Sequence, residues 1–174
     1  MPFIGTDLVV VPRGDRAWTV LRPLTYEGGL GDRFTIPAGY VTDFATVPRV
    51  AVWLIPTFGR YTRSAILHDY LITDAIPAGM VSSVDADGIF RRTMRELGVP
   101  PVKRWLMWAA VRLAAAFSAK RRPGWWSTAP AVLGIALLAL PLAVPMAGVA
   151  AGLVVYAIAE FIATGGRSST TLST

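Results

Sequence analysis

The sequence of 174 residues has a mean hydropathy of +0.50 and 53% hydrophobic residues, which is more apolar than an ordinary soluble domain. With no cysteine and one histidine, it excludes a disulfide framework, a thiolate metal site and a multi-histidine metal cluster. The formal net charge of +6 is unevenly spread: residues 1–90 hold seven arginines against nine acidic residues, whereas residues 91–128 hold nine lysines and arginines against Glu96.

The N-terminal part is rich in Val, Thr and aromatic residues separated by Gly, Pro and Asp, a pattern typical of short strands. We predict strands at 7–12, 16–24 and 33–41, with a turn at 27–32, in one small antiparallel sheet. The N-terminus has neither a charged region nor a long apolar run, so we predict no cleavable signal peptide.

Two helices are predicted next, at 60–73 and 83–97. Ser83 is the predicted N-cap of the second helix, and Gly98 ends it. Helical spacing defines the inward face of each helix. The face of the first helix carries Ala65, His68, Leu71 and Ile72, and that of the second carries Ala86, Asp87, Phe90, Met94 and Leu97.

Pro100 and Pro101 start a third predicted helix at 102–119, which carries tryptophans and basic flanks. Such a helix can lie along a membrane surface, with its aromatic side chains at the lipid boundary. It can equally pack against the head as an amphipathic core helix. The residues by themselves leave both interpretations open.

The C-terminal stretch 129–163 contains a single charged residue. As one helix it would be about 52 Å long at ~1.5 Å per residue, against a hydrocarbon core of about 30 Å. Pro141 and Pro145 lie near its middle and are expected to break it. We therefore predict two membrane passes, at 128–143 and 146–164, with a single kinked or re-entrant helix as the alternative.

The basic segment adjoins this apolar stretch, which indicates the anionic face of a lipid bilayer as its partner. Nucleic acid is not an expected partner, because the positive charge adjoins the apolar segment rather than covering an independent fold. The positive-inside rule then puts the head in the cytoplasm. The predicted organisation is an α+β fold with a head at 1–100, a basic connecting helix and linker at 101–127, a transmembrane helical hairpin at 128–164 and a disordered tail at 165–174.

The clearest candidates for chemistry are His68 and Asp69 on the first helix and Asp87 on the second. A link of about ten residues predicts an antiparallel helix pair, in which His68 faces Asp87. Such a carboxylate can fix the tautomer of the histidine and raise its basicity, as in a general-base dyad. Asp69 would point to the rim, where it could ligate a hard cation such as calcium. The alternative is a buried His–Asp hydrogen bond that only joins the helices.

A second candidate cluster is the segment TDFATVP at 42–48. Thr42, Asp43 and Thr46 can form an Asx-type turn or cap the segment that follows. The Asp43 carboxylate could instead point at the His68 site, which makes it a second candidate metal ligand.

Three blocks of the sequence, GYVTDFATVP, SAILHDYL and DADGIF, together resemble an uncharacterised domain family of phage and prophage proteins. It is the domain of unknown function numbered thirteen fifty-three, and the resemblance covers about residues 30–115. The resemblance implies a phage origin and gives no established activity.

The order of the His-Asp pair and the Ala-Asp-x-x-Phe helix is also similar to the catalytic helices of phospholipase A-two domains, particularly the short parvoviral capsid type. That resemblance implies His68 as the base, Asp69 as a calcium ligand and Asp87 as the partner of the histidine. Two positions depart from it: Ile72 stands where that family has tyrosine, and no Gly-rich calcium loop precedes the helix.

Three functional hypotheses follow from these features. The first is a phage-encoded, membrane-anchored protein of the host inner membrane or the virion tail, with a structural or lysis-related role and with other phage proteins or its own copies as partners. The second is a calcium-dependent, phospholipase-like lipid hydrolase that uses His68 and Asp87. The third is a holin-like pore former, against which the folded head counts.

Overall fold

The computed structural model describes residues 3–4, 8–14, 17–29, 31–43, 52, 55–56 and 58–164. The strands are β1 (Phe3–Ile4), β2 (Val10–Arg13), β3 (Ala17–Val20), β4 (Leu24–Glu27), β5 (Arg33–Ile36) and β6 (Val41–Thr42). The helices are α1 (Thr62–Tyr70), α2 (Ser83–Glu96), α3 (Pro101–Ala116), α4 (Trp125–Leu138) and α5 (Ala143–Ala163). A π-helical turn (Leu71–Ala75) continues α1, and a 3-10 turn (Leu140–Leu142) joins α4 to α5. The predicted α+β class is confirmed.

The strands form two small antiparallel sheets, in the orders β1-β4-β5 and β2-β3-β6, where one sheet was predicted. The predicted strand 16–24 divides into β3 and β4, which belong to different sheets. Pro23 lies at this division and has no N–H to donate to a ladder. The predicted strand 33–41 divides in the same way after Pro37.

The main core lies between the sheets and α1. Alternate residues of β5 are buried, so that Ile36 faces inward beside Tyr26 of β4. Ile66 and Leu67 of α1 cover them, and all four side chains are fully buried or nearly so. This packing fixes the position of α1, which carries His68 and Asp69.

The two predicted inward faces are largely confirmed. Every residue of both faces is buried except Ile72 and Leu97, which are half-buried. The predicted N-cap of α2 is wrong by one residue: Ser82 is the cap, and its Oγ accepts from the backbone N–H of Asp85 at 3.1 Å. The prediction for Thr46 lies outside the described residues.

Helix α3 packs between α2 and α4. Met107 contacts the α1–α2 core, and Trp108 and Ala109 pack against Val132 of α4. The structure therefore places α3 as a core-packing helix of the head. Trp105, on its outer face, remains 37% exposed.

Helix α5 differs from the others because none of its residues is buried. Together with the 3-10 turn it gives an apolar stretch, Leu140–Ala163, and this is the one helix in the described part of the chain that is long and apolar enough to cross a membrane. Pro141 lies in the turn, as predicted. The predicted break at Pro145 is wrong: it is the third residue of α5, in the first turn, where a proline is tolerated. The predicted first pass corresponds to α4, which has only 14 residues and packs on α3.

Candidate functional site

His68 and Asp87 meet as the sequence predicts. The Nε2 atom of His68 lies 2.6 Å from Oδ1 of Asp87, which is wholly buried, while His68 is 6% exposed. A carboxylate can only accept, so this contact requires a proton on Nε2. The imidazole ring packs against Phe90 with ring centroids 4.7 Å apart. Tautomer and ring orientation of His68 are thereby fixed.

Asp87 also binds two arginines that the sequence did not assign to the site. Nη1 of Arg112 donates to Oδ2 at 3.0 Å, and Nη2 of Arg121 donates to Oδ1 at 2.8 Å. Arg112 is a completely buried arginine, held further by Ser83 Oγ at 3.2 Å and Thr128 Oγ1 at 3.0 Å. The Asp87 carboxylate is thus bound by His68 of α1, Arg112 of α3 and Arg121, and Arg112 extends the network to Ser83 of α2 and Thr128 of α4. We call this network the Asp87 cluster (His68, Ser83, Asp87, Arg112, Arg121 and Thr128).

The electrostatics of this cluster keep Asp87 ionised. Burial by itself would raise its pKa, but the hydrogen bond and charge of His68 and the two arginines lower the pKa below its usual value. Two positive guanidinium groups share this carboxylate with His68. Such sharing is typical of a structural ion cluster more than of a general-base dyad.

Hydrogen bonds from Arg121 and Trp125 fix the segment between α3 and α4. Arg121 donates a further bond to the carbonyl of Val111 at 3.2 Å. The indole Nε1 of Trp125, the first residue of α4, donates to the carbonyl of Arg112 at 2.9 Å. This end of α4 is therefore tied to the head by hydrogen bonds as well as by apolar packing.

Asp69 and Asp43, the two candidate metal ligands, are neighbours in the structure. Thr42 Oγ1 donates to Oδ2 of Asp69 at 2.5 Å. The pKa of Asp69 is raised to about 7, and burial is the largest cause. The bond from Thr42 lowers this pKa, whereas the charge and hydrogen bond of Asp43 raise it. Asp69 therefore holds its proton up to near neutral pH.

Two carboxyl groups are fewer than the roughly six to eight oxygen ligands that calcium takes. Within the described part of the chain, no group of three or more His, Asp or Glu side chains could hold a metal ion. We therefore derive no chemistry through calcium.

The family comparison now has a structural context. A family model with the description "protein of unknown function (DUF1353)" matches residues 18–111, more than half of the chain. The chain belongs to this family. No curated protein and no solved structure matches it.

The DUF1353 match contains every candidate site residue that the sequence indicated: Asp43, His68, Asp69 and Asp87. It ends one residue before Arg112 and does not include Arg121. The buried carboxylate therefore belongs to the DUF1353 domain, and both of its arginine partners come from the segment that follows it. Neither arginine carries a local signal, because both lie among seven other basic residues that look like a solvated charge run.

We expect Asp69→Asn to stabilise the protein at pH 8 by several degrees in unfolding temperature. In the folded chain Asp69 binds a proton up to a pKa of about 7, against 3.8 ordinarily, so its ionisation weakens the fold as pH rises from about 4 to 7. Asparagine imitates the protonated acid. The gain should vanish near pH 4, and thermal unfolding of the full chain in detergent at both pH values measures it.

The exposed neighbour Asp74 provides the control for this prediction. Asp74→Asn should give no comparable gain at pH 8. A destabilised Asp69→Asn variant at pH 8 would show that the ionised carboxylate is the stabilising form, in contradiction to the raised pKa of Asp69.

Proposed function

We propose that this DUF1353 protein is a membrane-anchored interaction module, in which the head is held at the cytoplasmic face of a bilayer by α5. The observation that supports it most is the contrast between α4 and α5. Both are apolar, but α4 is packed on α3, whereas α5 leaves the head with no buried residue. A fully exposed apolar helix of this length can bury its side chains in the hydrocarbon core of a bilayer.

The Asp87 cluster supports the same proposal by giving the head a rigid connection to its anchor. It joins α1 and α2 to α3 and, through Thr128, to the first turn of α4. Helix α5 follows the other end of α4 after the 3-10 turn. The head is therefore connected to α5 through the packed helices α3 and α4. In a phage or prophage setting, as the family resemblance implies, such a module would present its sheets to another protein of the phage or host at the inner membrane.

Membrane extraction and topology test this proposal together. We expect the full chain to stay in the membrane fraction after alkaline carbonate extraction. With one pass and a cytoplasmic head, a C-terminal alkaline phosphatase fusion should be active and a C-terminal green fluorescent protein should be dark. The reverse pattern would indicate the two-pass hairpin, and release of the chain into the supernatant would contradict the anchor.

A lipid hydrolase is the second candidate, and one observation favours it. His68 binds Asp87 through Nε2, and Nδ1 makes no hydrogen bond to any described residue, so it is free to take a proton from water. This candidate predicts fatty-acid release from liposomes without added calcium and its loss in His68→Ala. Equal release by the two proteins would exclude it.

A further inference from the structure

An arginine-lined cavity of about 440 Å³ lies between α2 and α3, and its arginines differ from those that bind Asp87. We call it the arginine pocket. Its lining residues are Gly88, Arg91, Arg92, Arg95, Arg104 and Trp105. It lies near the end of α2 and the start of α3, whereas the Asp87 cluster lies near the start of α2 and the end of α3.

The charge of the arginine pocket is largely uncompensated. Arg92 is paired with Asp32 and donates to Tyr26 Oη, but Arg91, Arg95 and Arg104 form no ion pair with any described residue. Burial, and then the like charges of Arg104 and Arg95, lower the pKa of Arg91. Three guanidinium groups that repel one another around a cavity favour an anion inside it, since a bound anion removes that repulsion.

Aromatic packing holds the pocket in shape before any ligand binds. The guanidinium carbon of Arg91 lies 4.1 Å from the ring centroid of Trp105 and 5.2 Å from that of Trp108. The two indoles meet edge to face at 5.4 Å. Arg91 is thus fixed by cation–π contacts, which reduces the ordering that anion binding would cost.

Trp105 also borders a second cavity, an apolar groove of about 640 Å³ between α3 and α4. The groove includes Val102 and Leu106 of α3, Leu138 of α4 and Leu142. Leu142 directly precedes Ala143, the first residue of α5. The groove therefore opens where the chain leaves the head for the proposed membrane helix, and its lining suits hydrocarbon.

We propose that the arginine pocket and the apolar groove together bind one anionic diacyl phospholipid of the bilayer. The phosphate lies among Arg91, Arg95 and Arg104, and an acyl chain enters the groove past Trp105. The inference rests on the proposed function, because only a bilayer at the start of α5 brings such a lipid to the site. The basic residues would then bind one lipid at a defined site, in addition to their general attraction to an anionic surface.

The test uses the purified full chain in non-ionic detergent, with equimolar phosphatidylglycerol and phosphatidylcholine of identical acyl chains. Lipid retained on the protein is counted by native mass spectrometry. We expect phosphatidylglycerol to be retained preferentially, and Arg95→Gln/Arg104→Gln to reduce its retention by about tenfold or more, since two charge contacts are lost. The matched control, Lys120→Gln/Arg122→Gln, removes two exposed charges at the opposite end of α3 and should have little effect.

A second variant separates the pocket from net charge. A Cβ atom at Gly88 would meet nothing within 4 Å, so Gly88→Leu fills the pocket without disturbing the core and improves the helix propensity of α2. We expect it to lose phosphatidylglycerol as the double arginine variant does, with an unfolding temperature at least equal to that of the wild type.

Several results would overturn this inference. They are equal retention of the two lipids by the wild type, equal losses in the two double variants, and undiminished retention in Gly88→Leu. Displacement of the lipid by inorganic phosphate or by a short oligonucleotide would assign the pocket to that anion instead. Carbonate extraction keeps the two proposals apart: a wild-type chain that resists extraction but retains both lipids equally contradicts only the lipid site, whereas a chain released by carbonate contradicts the anchor on which the lipid site depends.

Discussion

Replacing Asp87 by alanine is expected to lower the free energy of unfolding by about 3–5 kcal/mol, enough to unfold a marginal domain. The reason is the environment that remains. Arg112 is completely buried and Arg121 largely so, and without the carboxylate their charges have no counterion within the cluster. Thermal or denaturant unfolding of the full chain in detergent measures the change.

Asp85 provides the matched control for this substitution. It is an exposed aspartate two residues earlier on the same helix, where it accepts a hydrogen bond from Ser82. Asp85→Ala should cost no more than about 1 kcal/mol, the usual value of a helix N-terminal contact. Equal effects of the two substitutions would contradict the central role of the Asp87 cluster.

A double-mutant cycle identifies which partner couples to Asp87. Asp87→Asn and Arg112→Gln should each destabilise the fold, and the double variant should cost less than the sum of the two. The lowered pKa of Asp87 adds a pH signature: its stabilising contribution is present above the ordinary aspartate pKa and is lost as pH falls through the lower folded value. In the Asp87→Asn variant this contribution to the free energy of unfolding is absent, so it should not be lost in acid.

The second large effect is expected in α5. The double substitution Val149→Arg/Leu153→Arg should release the protein from membranes, because each arginine near the centre of a spanning helix costs about 2.5–3.5 kcal/mol. Both positions lie near the middle of Leu140–Ala163. The fraction of the chain that resists alkaline carbonate extraction measures the effect.

The apolar control for this prediction is Val149→Ala/Leu153→Ala, which should remain in the membrane fraction. Since no residue of α5 is buried against the head, neither variant should change the unfolding temperature of the head. That separates loss of anchoring from misfolding. Full membrane retention of the arginine variant would mean that α5 does not span the bilayer.

The helical part of the head follows closely from the sequence. Helical spacing placed His68 and Asp87 on facing surfaces, and the structure brings Nε2 and Oδ1 to 2.6 Å. A short connection between two amphipathic helices leaves few ways to pack them, so a local pattern predicts a tertiary contact. The strands were predicted less well, since a proline such as Pro23 can end one strand and begin another in a different sheet.

The apolar C-terminal stretch 129–163 shows what composition determines and what it does not. Composition predicted an apolar stretch and a break near Pro141, and both are present. It did not separate α4 from α5, because burial in a protein core and burial in lipid select the same residues. The structure shows a difference of degree: α4 buries Ala129 and Val132 but leaves Leu133, Leu137 and Leu138 exposed, whereas α5 buries no residue.

By itself, the sequence determined the fold class, the helical His–Asp pair and a membrane-length apolar segment, because each depends on local spacing or composition. Only the tertiary structure decided which arginines of the basic segment bind Asp87 and which line the arginine pocket. Arg112 and Arg121 lie buried on Asp87, while Arg91, Arg95 and Arg104 surround an open pocket at the other end of the same helices. A run of charges contains no local signal for this division, since the partner of each arginine is set by long-range packing of α2, α3 and α4.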